Sequence, residues 1–472
     1  MPTNPLKTGS QSDSYRTFGR YILVVATGLR LLLALVNREA NDAHIPVIKS
    51  IAFDHHFPTR DEMWEGFQPK LFHTVAALIW RVLPNDLTWQ IISAQMLNAL
   101  AGVLTIWIIF RFLTGVQLST RVRLLALALF ALNPALIGIN SQVTNDSFVI
   151  LFSTAALYFG FRYFKEFRTT DWILMTASTC LAVLSKGNGI VVLIALICTG
   201  IAQLGRLIPS ASEHRMRRAA SLAVLVLIVI GSASVLGPYY DHYRRYGTPF
   251  VTNYQPDPLP HWSTEPTPHP YPGVTTVKES FFTFRLFNLI RHPHQTQMRW
   301  GYPRHRRSLW SQLYGGWNYA QFPSAPNSWQ AHSKRILFIG KILMVLAFLP
   351  ACIFVVGLVR QLGTVVRGAL KREKVESRAT FLLVIVTLGF LLFEIAYSAR
   401  YHEYTVMKPI FIFPGLLGFL AVFATACDEF YQAISSRWAR IADFLLWSLA
   451  VVYSVDVIVL TKQISSFPFV TS

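Results

Sequence analysis

Ionisable side chains occur at three places where long apolar runs of the sequence end. The first place holds Asp42 and His44, the second holds Asp146, and the third holds Lys186. A carboxylate can take the proton of an attacking hydroxyl group, and an ammonium group can stabilise an anionic leaving group. Because ionisable groups at the edge of a membrane are costly, these positions are the first candidates for a functional site.

The composition of the 472-residue chain is that of a multi-pass membrane protein. Hydrophobic residues make up 53% and charged residues 14%, whereas soluble domains carry about 25% charged residues. The net charge of +19 comes from basic residues that punctuate apolar runs, so we expect membrane lipids as partners and no nucleic acid. The four cysteines lie within or at the ends of apolar runs, which favours neither disulfides nor a catalytic thiol.

Several apolar runs approach the roughly 20 residues that cross a bilayer core. They fall at about 17–36, 90–110, 122–139, 147–164, 171–185, 189–205, 219–238, 336–359, 379–397, 407–426 and 441–461. The expected fold class is an all-α polytopic membrane protein with about 11 (10–13) transmembrane helices. Two long outer-face loops should carry interfacial helices.

The distribution of Lys and Arg predicts which side of the membrane each loop faces. If the N-terminus is cytoplasmic, the inside loops collect the basic clusters, whereas the opposite loop at 140–146 has none. The segments 37–89 and 239–335 then lie outside, and the prolines between 249 and 272 exclude a continuous helix there. We therefore divide the chain into an N-terminal module (1–240), an outer-loop subdomain (241–334) and C-terminal helices (335–472).

Short motifs follow one another along these predicted outer loops. They are Asp42-Ala43-His44, Phe57-Pro58, Gln68-Pro69-Lys70-Leu71-Phe72-His73, Thr144-Asn145-Asp146 and Leu184-Ser185-Lys186-Gly187, with Ser308–Gly315 and Ala399-Arg400-Tyr401-His402 as looser matches. The ordered set resembles the GT-C membrane glycosyltransferases, in particular the protein O-mannosyltransferase and aminoarabinose transferase branch. Lys70 and His73 depart from that pattern, because a second proline and an aromatic residue are usual there.

The resemblance implies a sugar donor on polyprenyl phosphate and a hydroxyl acceptor on a protein, a lipid or a glycan. A hydroxyl group needs a base in order to attack the anomeric carbon, and we expect Asp42 in this role, with Asp146 orienting a substrate or sharing the site. Direct attack would invert the anomeric configuration. The expected donor-binding residues, which stabilise the leaving phosphate, are Lys186, Arg400, His44 and Lys70.

Other interpretations of the same residues stay open. Asp42 and Asp146 are also typical of residues that cap a helix. Lys186 could instead extend its side chain towards lipid headgroups, and Glu394 could form an ion pair with Arg400. No cofactor is expected, although the many outer-loop histidines leave a divalent metal as an alternative. A flippase for a lipid-linked sugar or a polysaccharide polymerase or ligase are the competing functions. The expected location is a plasma membrane, or bacterial inner membrane, in preference to the endoplasmic reticulum.

Overall fold

The computed structural model describes residues 6–37, 43–204, 237–251, 277–293, 307–322, 333–370, 378–401 and 406–465, together with 226 and 329. Within these residues the chain is helical and contains no β-strand. The sequence prediction of an all-α protein is therefore confirmed for the described part of the chain.

The long helices of the described chain form the body of the protein. They are α1 (Leu6–Val36), α4 (Leu87–Gly115), α5 (Thr120–Ala131), α6 (Pro134–Asn140), α7 (Asp146–Glu166), α8 (Thr169–Ser185), α9 (Ile190–Leu204), α14 (Lys334–Leu346), α15 (Phe348–Leu370), α16 (Arg378–Tyr401), α17 (Leu416–Ala433) and α18 (Ser436–Ile464). Shorter helices are α2 (His44–Lys49), α3 (Leu71–Val82), α10 (described over 237–246), α11 (Val277–Phe281), α12 (Leu286–Arg291) and α13 (Leu309–Asn318).

Seven spans in the described residues are long and apolar enough to cross a membrane, with α5 and α6 together as an eighth. The expected count of about eleven is not confirmed. Two of the runs correspond to helices that fall below this length or hydropathy, namely 171–185 in α8 and 189–205 in α9. The predicted run at 219–238 and the proline-rich segment at 249–272 lie almost entirely outside the described residues.

Proline and asparagine explain where the apolar runs break. The run predicted at 122–139 is bent by 47° between α5 and α6. Asn133 accepts a hydrogen bond from the Leu136 amide across 2.9 Å, and Pro134 begins α6, where a missing amide hydrogen costs nothing. Pro350 lies in the first turn of α15, where it cannot donate to the carbonyl of Leu346, but α14 and α15 still form one span, Lys334–Arg367.

The two ends of the helix bundle are held by different kinds of contact. At one end, Arg121 forms an ion pair with Asp443 across 2.6 Å, and the Ser119 hydroxyl donates to Asp428 across 2.7 Å. The other end contains the last residues of α1 and α8 and the first residues of α7 and α9, joined by asparagine side chains. The predicted polar turns after apolar runs thus lie together at one end of the bundle.

The segment between α1 and α4 packs as a separate layer on that same end. Val47 and Ile51 bury their side chains against Phe72 and Trp80 of α3, and Phe148 of α7 closes this small core. Arg81 ties the layer together, since its guanidinium donates to the carbonyl oxygens at 51 and 52 across 2.8 and 2.9 Å. The expected helix–loop character of 37–89 is therefore seen over its described residues.

Candidate active site

The geometric centre of the polar end is an ion pair between Asp146 and Lys186. The Lys186 Nζ atom donates to the Asp146 Oδ1 atom across 2.7 Å, and the Thr144 hydroxyl donates to Oδ2 across 2.7 Å. The Asp146 side chain is 1% exposed and the Lys186 side chain 13% exposed. Two sequence candidates that lie 40 residues apart are thus in direct contact, and both oxygens of the carboxylate accept a hydrogen bond.

Local sequence accounts for the position of each partner. Asp146 is the first residue of α7, where a negative charge interacts favourably with the helix dipole. Lys186 follows the last residue of α8 in an extended conformation, and a short 3-10 turn from Gly187 to Gly189 leads into α9. A side chain at Gly189 would place its Cβ 2.5 Å from the Ala182 carbonyl oxygen, so this tight turn requires glycine.

Asparagine side chains hold the turns around the ion pair. Each donates to a backbone carbonyl oxygen of another element: Asn37 to Ser141 (2.8 Å), Asn98 to Gln142 and Thr144 (both 2.7 Å), Asn145 to Ser185 (3.1 Å), and Asn188 to Phe411 (3.2 Å). These residues satisfy carbonyl groups that helix ends leave without partners. The sequence motifs did not indicate most of these asparagines. The signal that could have identified them is an asparagine directly beside an apolar run.

A cavity of about 110 Å³ opens beside the ion pair. Its lining combines the two charged residues with aromatic rings and a second lysine, and comprises Ala135, Gly138, Ile139, Gln142, Asp146, Lys186, Gly316, Tyr319, Ala320, Phe322, Trp329, Lys408, Pro409, Ile410, Phe411 and Phe413. The Lys186 ammonium lies 5.5 Å from the centre of the Phe411 ring, within the range of a cation–π contact. The cavity therefore offers positive charge and apolar surface side by side.

A buried arginine supports the wall of the cavity. Arg30 of α1 is fully buried and donates to the Asn140 side chain across 3.0 Å and to the Ala131 carbonyl oxygen across 2.7 Å. Asn140 in turn donates to the Ser147 hydroxyl across 3.0 Å. Since Ala131 ends α5 and Asn140 ends α6, Arg30 holds the bend that places α6 against the cavity.

His44 and Lys70 lie in the layer formed by the segment 43–82. The His44 Nδ1 atom is 2.9 Å from the His73 Nε2 atom, and both rings are buried. The Lys70 ammonium donates to the carbonyl oxygens of Gly66 (2.6 Å) and Gln68 (2.8 Å). Burial lowers the pKa of Lys70 to about 8, against the opposing effect of nearby glutamates.

Gln68 connects this layer to the ion pair. Its side-chain oxygen accepts a hydrogen bond from Asn145 across 3.4 Å, and Asn145 is the neighbour of Asp146. Lys70 is two residues further along the chain. The structure thus brings the Lys70 segment next to the Asp146 turn.

Among the described residues, no hydrogen bond or ion pair joins the remaining candidates to the Asp146–Lys186 pair. Asp42 lies outside the described residues, between Asn37 and His44. Arg400 is exposed near the end of α16, and Glu394 of the same helix is buried close to the backbone amide of Lys408. The structure shows no ion pair that joins Glu394 to Arg400 in the part of α16 whose side chains are described.

A metal site finds no support in the described residues. No group of three His, Cys, Asp or Glu side chains lies close enough together there to hold a metal ion. His44 and His73 lie side by side, but the residues that the structure describes form no group of three around them. The histidines expected in the large loop at 261, 269, 294, 305 and 332 lie outside the described residues.

Part of the sequence that forms this site is similar to a known protein family. Residues 68–234 match the family model described as dolichyl-phosphate-mannose-protein mannosyltransferase, and the matched segment contains both Asp146 and Lys186. No curated protein is significantly similar in sequence.

Solved structures provide a second comparison. ArnT from Cupriavidus metallidurans bound to undecaprenyl phosphate is 14% identical with a TM-score of 0.36, over 88% of this chain and 80% of that one. The oligosaccharyltransferase AglB from Archaeoglobus fulgidus, in complex with an inhibitory peptide and a dolichol-phosphate, is 13% identical with a TM-score of 0.46. That match covers 96% of this chain and 56% of AglB, so the chain spans about half the length of AglB. The family match agrees with the resemblance expected from the motifs, since residues 68–234 of this chain are similar to the mannosyltransferase family.

Proposed function

We propose that the protein transfers a monosaccharide from a polyprenyl-phosphate donor to a hydroxyl acceptor with inversion of configuration. The observation that carries the proposal is the cavity bordered by Asp146, Lys186 and Lys408, because the first two residues lie in the segment that matches the mannosyltransferase family. A carboxylate and ammonium groups are the functional groups that this transfer needs. We further propose that the cavity faces the outer side of the membrane, as the positive-inside pattern predicts.

The charges and surfaces of the cavity suit such a donor. A sugar phosphodiester carries one negative charge, and Lys186, Lys408 and Asp146 together carry one net positive charge. The aromatic side chains of Phe411, Phe413 and other lining residues present the apolar surface that a prenyl chain or a sugar ring can pack against. Both halves of the ligand therefore find a matching surface within one cavity.

The proposed step breaks one bond and forms another at the anomeric carbon. The acceptor oxygen forms a bond to that carbon while the bond to the phosphate oxygen breaks, and its proton passes to a carboxylate. The polyprenyl phosphate leaves with the electron pair of the broken bond. Lysine side chains stabilise its additional negative charge, so no general acid is needed for departure.

We assign the proton acceptor role to Asp42 and a supporting role to Asp146. Both oxygens of Asp146 already accept hydrogen bonds from Lys186 and Thr144, which suits a residue that orients Lys186 or a substrate. Asp42 follows α1, whose last turn reaches the cavity wall through the hydrogen bond between the Trp329 indole and Asn37. These contacts support a base supplied by the segment that follows Asn37.

Donor binding is assigned to Lys186, Arg400, His44 and Lys70. Lys186 is supported most directly, because its ammonium lines the cavity. Lys70 and His44 belong to the layer that Gln68 joins to the Asp146 turn. Arg400, near the end of α16, precedes the cavity-lining residue Lys408 by eight positions in the sequence.

The test is turnover of labelled polyprenyl-phosphate sugars by purified protein in nanodiscs, with water and short hydroxyl compounds as acceptors. The variants are Asp42→Asn and Asp146→Asn, with Asp54→Asn as a matched control because Asp54 is an exposed carboxylate of the same segment. We expect turnover of one donor, a loss of about 10²- to 10⁴-fold in Asp42→Asn, and unchanged turnover in Asp54→Asn.

Each alternative has a distinct result in this experiment. Full activity of Asp42→Asn together with inactive Asp146→Asn would move the base to Asp146. If no donor is consumed but a lipid-linked sugar crosses proteoliposomes, the transferase proposal is wrong and a flippase replaces it.

A further inference from the structure

Lys408 is a cavity residue that no sequence motif indicated. It lies directly before a 3-10 turn, Pro409–Phe411, and its backbone is extended, with φ −118° and ψ 139°. Because Pro409 fixes its own φ, the chain direction after Lys408 is restricted. Pro409, Ile410 and Phe411 line the same cavity, so the lysine borders the cavity as part of a continuous wall.

The surroundings of Lys408 leave its charge available. Among the described residues, no carboxylate forms an ion pair with the Lys408 side chain, and no hydrogen bond holds its ammonium. The carboxylate of Glu394 lies near its backbone amide and so acts on the main chain of this residue. Lys408 is partly buried, which favours a cation that meets a ligand over one that is fully hydrated.

The ion pair between Asp146 and Lys186 makes Lys408 the more important lysine for the attraction of an anion to the cavity. Asp146 lies 2.7 Å from Lys186 and cancels its charge at a distance. Asp146 is the only acidic residue among the described residues that line the cavity. Among the described lining residues, Lys408 therefore supplies the positive charge that is not offset by Asp146.

A lysine at a membrane edge can also extend towards lipid headgroups. Two observations favour a role inside the cavity. Lys408 shares the cavity lining with Lys186, and the wall segment that follows it is anchored by the Asn188 side chain, which donates to the Phe411 carbonyl oxygen across 3.2 Å. Lys408 and Lys186 therefore border the same cavity, which is where an anion would enter.

We propose that Lys408 binds the phosphate group of the lipid-linked donor and stabilises it as it leaves, together with Lys186. This assignment rests on the proposed function, since it names a second cation of the same site. It predicts that the phosphate is held by Lys408 and by Lys186, which Asp146 orients. It also predicts that loss of Lys408 weakens binding of the lipid phosphate itself, even without a sugar.

The experiment compares the affinities of purified wild-type protein, Lys408→Gln and Lys408→Arg for polyprenyl phosphate and for the uncharged polyprenol. Lys334→Gln is the matched control, because Lys334 is an exposed lysine at the start of α14 and does not line the cavity. We expect Lys408→Gln to bind polyprenyl phosphate about 10- to 100-fold more weakly, as for loss of a charge-assisted hydrogen bond. Polyprenol affinity, Lys408→Arg and Lys334→Gln should stay within about 3-fold of wild type.

The ratio of the two lipid affinities separates phosphate recognition from folding. A misfolded variant would lose polyprenol and polyprenyl phosphate together, and Lys408→Arg would then decide, because retained affinity with arginine supports the role of the charge. If wild-type protein turns over a donor but Lys408→Gln keeps the wild-type ratio, the role of Lys408 is wrong while the transferase function stands. If wild-type protein neither binds polyprenyl phosphate nor consumes any donor, both proposals are overturned.

Discussion

The Nδ1 atom of His44 lies 2.9 Å from the Nε2 atom of His73, and both rings are buried beside Phe72. One nitrogen of this contact must donate and the other must accept, so the two rings cannot both be fully protonated. Burial holds the pKa of His73 well below its usual value, and the positive charges of His44 and Lys70 act in the same direction. Burial and the neighbouring charges therefore favour a neutral His73.

This contact predicts that acid destabilises the protein below about pH 6.5, where an unfolded histidine takes up a proton. The unfolded state then binds more protons than the folded state, so the free energy of unfolding decreases as the pH falls. Thermal unfolding between pH 7.5 and 5 should show a shallower dependence in His73→Gln than in wild type. His56→Gln, at an exposed position, serves as the control, and equal slopes in His73→Gln and wild type would contradict the prediction.

Lys70 predicts a dependence on pH in the alkaline range. Its pKa is lowered from 10.5 to about 8 by burial, so between these values the unfolded chain binds the extra proton. Stability should therefore rise as the pH increases from 8 to 10.5, because the cost of a buried charge disappears. Unfolding measurements at pH 8, 9 and 10 should show this gain in wild type and in Lys334→Met, but a smaller gain in Lys70→Met. A parallel increase in all three proteins would argue against it.

Removing one member of the Asp146–Lys186 pair should destabilise the protein. The pair is almost fully buried, and loss of either partner leaves the other charge uncompensated. We expect Asp146→Asn or Lys186→Met alone to lower the free energy of unfolding by about 3 kcal/mol. The double variant should lose less than the sum of the two single effects, which a double-mutant cycle of detergent unfolding measures. Additive losses would show that the contact contributes little.

Gly102 of α4 faces the side chain of Asn140, and an added Cβ there would lie 2.2 Å from the Asn140 Oδ1 atom. That atom accepts the hydrogen bond from Arg30, so Gly102→Ala should displace the arginine network as well as the helix. We expect a loss of about 1–3 kcal/mol in the free energy of unfolding. Gly28→Ala is the matched control, since Gly28 lies in α1 with open space around it, and this variant should be at least as stable as wild type. Equal effects of the two substitutions would exclude the predicted clash.

The sequence predicted the helical class and the neighbourhood of Asp146 and Lys186, because polar residues that follow apolar runs collect at the same end of a bundle. It did not predict the bend at Asn133 and Pro134, since the run 122–139 is apolar on average and an averaged hydropathy is insensitive to a capping residue. The helices α8 and α9 also differ from the spans, because they fall below the required length or hydropathy. The average hydropathy and composition of an apolar run do not show where a helix bends or ends within it.

Other parts of the site needed three-dimensional contacts. Lys408 sits in an unremarkable sequence context, and only the packing of its 3-10 turn against the Asn188 side chain places it beside Lys186. Likewise, the contact of His44 with His73 joins positions 29 residues apart. The sequence shows that these residues are lysine and histidine, whereas the distances between their side chains depend on how α3 and α16 pack.

The amide side chains that fix the turns around the cavity are uncharged. Asn37, Asn98, Asn145 and Asn188 bind backbone oxygens, and these bonds do not titrate or respond strongly to ionic strength. The dependence of the protein on salt and pH should therefore arise from its charged and titratable residues, while these amide contacts contribute equally under all of those conditions.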